Sequence, residues 1–170
     1  MHRRAFLRRC LHAAGATAAG VLLPRAWVAA EPHPTVAGVD ACPYCSMTIV
    51  DLRFAAQVVT PTGLVLHYDA IECLADHLNG HGPPPPEAAE TYLADVTTSS
   101  LDGADYLTAD DAVLLYHPRL RTPMGGGLAA FADAAATEAY AAQRRLQDAE
   151  VLTWAEVLAR GADDPWVPDY

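Results

Sequence analysis

FAAQVVTPTGLVLHYDAIECLADHL, residues 54–78, decides the fold. Phe54–Thr60 and Leu64–Tyr68 are β-prone runs, and Pro61-Thr62-Gly63 between them is a turn signal, so the pair predicts a β-hairpin. From Asp69 the apolar period changes. Ile71, Leu74 and Leu78 fall on one helical stripe, and Asp69 with Glu72 three residues later has capping-box spacing, so Asp69–Leu78 predicts a helix. TYLADVTT, Thr91–Thr98, returns to strand composition and completes the order ββαβ.

The same order recurs downstream. AVLLYHP (Ala112–Pro118) predicts a strand, RTPMGGG a glycine-rich loop, and LAAFA (Leu128–Ala132) a second strand. DAAATEAYAAQRR (Asp133–Arg145) is alanine-rich, opens on an aspartate and closes on arginines, as the helix dipole favours. EVLTW (Glu150–Trp154) predicts a last strand running into a short helix capped by Thr153 and Glu156. The expected fold is therefore α+β: two tandem ββαβ modules, residues 38–100 and 106–160, sharing an order of elements but almost no sequence identity. HGPPPPE (His81–Glu87) reads as a polyproline surface loop, and residues 161–170, acidic and proline-containing, as a frayed tail.

The first 30 residues carry a different message. Arg3, Arg4, Arg8 and Arg9 precede an Ala/Gly/Leu-rich run and the small residues Val28-Ala29-Ala30, the order of a cleaved signal peptide rather than a membrane span. Arg3-Arg4-Ala5-Phe6-Leu7-Arg8 matches the twin-arginine pattern, so export to the periplasm in the folded state is expected. Cys10 lacks a lipobox, which argues against a lipid anchor. Five of the 11 basic residues lie in this segment and all 21 acidic ones beyond it. Cleavage after Ala30 would leave 6 basic against 21 acidic side chains, a net charge of about −15. That charge argues against nucleic acid or anionic lipid as a partner, and no later run is apolar enough to span a bilayer.

Three cysteines remain beyond the signal, Cys42, Cys45 and Cys73, so at least one thiol has no internal disulfide partner. Cys42-Pro43-Tyr44-Cys45-Ser46-Met47 concentrates three sulfur side chains. A structural zinc site needs a second Cys/His pair, which is absent at matching spacing, and a redox Cys-x-x-Cys normally opens a helix, whereas a β-prone run follows here. Soft-metal binding suits the set better, because thiolate and thioether sulfur select Cu(I). On an extended chain Cys45 and Met47 would share a face, with Cys42 a further ligand or a disulfide partner of Cys45. Met124, in a glycine-rich and mobile loop, has no evident packing role and could close on the same ion. A histidine could be a third ligand, but the spacing does not select one, and Cys73 with His77 could equally be core.

These motifs, in this order, resemble the NosL family, the copper chaperones of nitrous oxide reductase assembly: Cys-Pro-x-Cys-x-Met, an Ala-Ala-Gln-Val-Val strand, Tyr-Asp-Ala-Ile-Glu-Cys-Leu, and Pro-Met-Gly before a Phe-Ala strand. The resemblance runs from about Ala41 to Leu158. It implies two ββαβ modules holding one Cu(I), with Cys45 and Met124 as metal ligands and Met47 and Cys42 at motif positions. It also implies apo nitrous oxide reductase or another periplasmic copper protein as recipient, with a membrane copper exporter or ABC-type maturation complex as further partners. Ser46 departs from the family's usual glycine, Leu66-His67 from its aromatics, and the twin-arginine signal from its frequent lipid anchor. The expectation is a carrier rather than an enzyme. Its rival is a periplasmic thiol–disulfide oxidoreductase using Cys42 and Cys45, and a metal-free binding module held by a Cys42–Cys45 bridge is a third possibility.

Overall fold

The computed structural model describes residues 31–168; the expected signal peptide and its twin-arginine motif lie outside the described residues. The hairpin forms where the turn signal places it. β1 (Ala56–Val59) and β2 (Val65–Tyr68) pair antiparallel, Ala56 opposite Tyr68 and Val59 opposite Val65. After α1 (Ile71–Leu78) the chain returns as β3 (Glu90–Ala94) on the other side of β1. The second half repeats this wiring. β5 (Val113–Tyr116) pairs with β6 (Leu128–Phe131), and after α2 (Ala134–Arg144) β7 (Glu150–Leu152) pairs on the far side of β5. With a further strand β4 (Tyr106–Thr108), the sheets are ordered β2-β1-β3-β4 and β6-β5-β7, so each unit keeps its first strand central. The α+β expectation holds, with one strand unanticipated: β4 (Tyr106–Thr108) extends the first sheet by pairing with β3.

The largest buried cluster joins the halves. Val58, Tyr68, Ile71, Leu74 and Leu93 pack with Leu114, Leu128, Ala130, Trp154 and Val157 in one buried cluster. Val96 N–H donates to the Ala130 carbonyl at 3.0 Å, stitching the end of the first sheet to β6. On the other face of β1, Gln57 is buried against the N-terminal segment. Its Oε1 accepts from His33 N–H at 3.0 Å, and its Nε2 donates to Thr35 Oγ1 at 2.9 Å and to the His33 carbonyl. A central strand covered on both faces explains why Ala56–Val59 is buried throughout rather than alternating.

α1 lies between the first sheet and the second unit, so Ile71 through His77 are all buried. The expected capping pair does not form: the N-cap is Ala70, with no side-chain hydrogen bond. Asp69 and Glu72 are instead taken up by tertiary partners that local spacing cannot reveal. α2 is capped as expected, Asp133 accepting from Ala136 N–H at 2.8 Å. α3 (Trp154–Gly161) opens on the Thr153/Glu156 capping box.

The tail expected to fray is pinned through Val167. Asp76 on α1 accepts from Trp166 N–H at 2.9 Å and Val167 N–H at 2.8 Å, while the Trp166 indole N–H donates to the Val157 carbonyl at 3.0 Å. Its composition is that of a loose tail, but one buried tryptophan and one buried carboxylate hold it. Among the described residues no helix is long and apolar enough to cross a membrane.

Candidate metal centre

Residues 40–49 close into a tight loop. Ala41 bridges Thr48, Ile49 N–H donates to the Asp40 carbonyl at 2.9 Å, Cys42 N–H to Met47 O at 2.9 Å, and Ser46 N–H to Cys42 O at 2.9 Å. Ser46 takes φ +65°, the left-handed region that favours glycine, which gives a backbone reason for glycine at this motif position. The chain is therefore not extended here, and strand alternation does not place Cys45 and Met47 together. Cys42 is buried and Cys45 half-buried against the shared core, whereas Met47 is 52% exposed.

The loop presents its thiols to the start of α1. Ligand atoms of Cys42, Cys45, Asp69 and Cys73 all lie within 4.8 Å of one another. Cys45 Sγ–H donates to Asp69 Oδ1 at 3.6 Å. All three cysteines among the described residues are free thiols. A hydrogen bond from Cys73 is the chief influence lowering the Cys42 thiol to about 7. Burial pushes Cys45 up to about 12, and Cys73 is held protonated by its bond to Cys42 and by burial. Of the three thiols Cys42 is thus the readiest to ionise near neutral pH, and filling the site with metal must expel protons. Three sulfurs fit a soft ion, and the buried Asp69 carboxylate gives Cys45 a hydrogen-bond acceptor. Asp69 and Cys73 were not legible as members. Their i, i+4 spacing across the helix start was the available signal, and only the approach of the loop makes it meaningful.

Met124 is buried in the same apolar cluster as Cys42 and Cys73. Its loop is templated rather than mobile. Thr122 Oγ1 donates to Glu72 Oε1 at 2.6 Å and Leu128 N–H to the same oxygen at 3.0 Å, so one side chain of α1 holds both ends. At Gly126 a Cβ would stand 2.3 Å from Glu72 Cγ and 2.6 Å from the Trp166 carbonyl, which is why no side chain is present.

No histidine joins the cluster among the described residues. His77 is occupied at both nitrogens, Nδ1 by the Tyr68 hydroxyl and Nε2 by the Pro84 carbonyl, each at 3.0 Å. His67 Nδ1 meets the Thr35 hydroxyl at 2.8 Å, and His117 is fastened to the Gln147 carbonyl and the Arg119 amide, each at 2.9 Å. These rings are structural fastenings, so His77 does not pair with Cys73 as a ligand, and Cys73 joins the cluster without it.

Residues 32–159 match the family model of NosL. The chain belongs to the NosL family. The fold agrees: the crystal structure of the copper chaperone NosL from Shewanella denitrificans superposes with a TM-score of 0.60 at 17% identity, covering 74% of this chain and 94% of that one. No curated protein matches. At this identity the likeness shows the shared NosL fold and nothing about individual ligands. The cysteine cluster of this NosL-family chain stands on its own geometry.

Proposed function

We propose that this protein is an exported Cu(I) carrier that hands its ion to a periplasmic copper enzyme, with apo nitrous oxide reductase as the leading recipient. The observation that carries the reading is the cluster of three free thiols on the core that both units share, with Met124 in the same buried core. Copper is cargo here, not a resident cofactor. Cys45 and Met124 are the principal ligands in this reading, Cys42 and Met47 the auxiliary ones. Half-buried Cys45 and exposed Met47 give an incoming acceptor a route to the ion, while the inner thiols keep it from water. Ligand exchange through such a site needs no catalysis, so the protein is read as a carrier and not an enzyme. Its acidic surface suits basic patches on a recipient, a membrane copper exporter or an ABC-type maturation complex.

Anaerobic titration with Cu(I) against a chelator tests this. One ion should bind wild type, and Cys45→Ser with Met124→Leu should weaken binding by at least about a hundredfold, as expected for losing two sulfur ligands. Unchanged affinity in the double variant would falsify the ligand assignment. The thiol–disulfide reading is favoured by one fact, the Cys42 thiol lowered to about 7. It predicts a reversible disulfide, exchange activity on a model disulfide and indifference to Met124.

A further inference from the structure

Glu72 is fully buried, one position from Cys73, yet both of its side-chain hydrogen bonds to other residues reach into the second unit. Its Oε1 accepts from the Thr122 hydroxyl and the Leu128 amide, the two ends of the loop that carries Met124. Gly126 packs directly on its methylenes, with no room for a Cβ. Its Oε2 is buried without a hydrogen-bond partner among the described residues. A carboxyl is a costly group to bury, and core packing alone would be served better by an apolar side chain. Its two bonds converge on one loop, and that loop has one sulfur ligand candidate.

We propose that Glu72 is a positioning residue for metal binding: it ties the Met124 loop to the helix bearing Cys73, so that the thioether of one unit is held at the thiols of the other. The proposal rests on the reading of Met124 as a ligand. The tie places Met124 before any ion arrives, so binding does not have to order the loop. Thr122 is the matching half of the tie on the loop side. The sequence signal was concealed, because Glu72 resembles a capping residue of its own helix.

The test uses methionine methyl NMR and Cu(I) affinity together. The chain has three methionines, so the spectrum is simple, and exposed Met47 is an internal reference for a mobile methyl. Thr122→Val, at a partly exposed position, deletes the bond to Glu72 together with the one the same hydroxyl accepts from the Gly127 amide, and avoids the risk that Glu72→Ala fails to fold. In metal-free protein the Met124 methyl should be rigid in wild type and in Glu72→Gln, which retains the accepting oxygen. In Thr122→Val its order should fall toward that of Met47. Cu(I) affinity should drop about tenfold in Thr122→Val, on the scale of a buried hydrogen bond, and be retained in Glu72→Gln. The Thr122→Val loss should vanish in a Met124→Leu background, whereas a merely structural role would persist there. A Met124 methyl equally rigid in Thr122→Val overturns the tie. If the methyl responds but Met124→Leu binds copper like wild type, the tie stands and the ligand reading of Met124 falls.

Discussion

Glu72 and Ser46 each hold an arrangement that their own chemistry resists, and each yields a measurable consequence. Burial raises the Glu72 carboxyl above its ordinary 4.5, against the opposing influence of the Thr122 and Leu128 bonds. The folded state then holds the proton more tightly than the unfolded state. The stability this supplies is complete below pH 4.5 and is lost as pH rises through the raised value. Urea unfolding of metal-free protein should show wild type losing ground to Glu72→Gln as pH increases above 4.5; parallel pH profiles would contradict the sign. Ser46, at φ +65°, bears the cost of a left-handed backbone. Ser46→Gly should stabilise the protein by about 0.5 kcal/mol, the relief of strain less the added freedom of the unfolded chain. At this scale Cys42 and Cys45 were legible because their relation is local. Asp69 and Cys73 were not, since their membership depends on a loop from elsewhere coming to rest on α1.

Among elements, the loop between β5 and β6 looked the loosest and is among the most constrained. Gly126→Ala should cost about 2 kcal/mol or more, because the new methyl meets the Trp166 backbone as well as Glu72, and backbone cannot give way as a flexible side chain can. A thermal shift of under a degree for this variant would show that the loop is free to move aside. Hairpins and helices were readable from composition, turn residues and the three-residue apolar stripe. β4 escaped because three residues, Tyr106–Thr108, are too few to show a period. The cap of α1 was misread because Asp69 and Glu72 have the right spacing, yet the second unit and the cysteine loop offer them better partners. Local propensity gave way to tertiary contact at the helix that carries a cluster cysteine.

Across the whole molecule, α1 is the shared wall of both units, and the C-terminal segment closes over it. Trp166→Ala should therefore cost about 3 kcal/mol in a cooperative unfolding transition, the usual range for a buried tryptophan, rather than the near-zero effect of a frayed tail. Because two of the thiols belong to the core that both halves share, copper should stabilise the fold as a unit, by about 2.7 kcal/mol at free Cu(I) a hundredfold above Kd. The repeat of ββαβ was visible in the sequence; the core shared by the repeats was not, and the candidate centre borders that core. Copper K-edge absorption on protein loaded anaerobically with one equivalent of Cu(I) tests the central claim most directly. The account predicts a first shell of sulfur alone that loses a scatterer in Cys45→Ser and in Met124→Leu. A shell dominated by nitrogen or oxygen, or one unchanged in both variants, would contradict it.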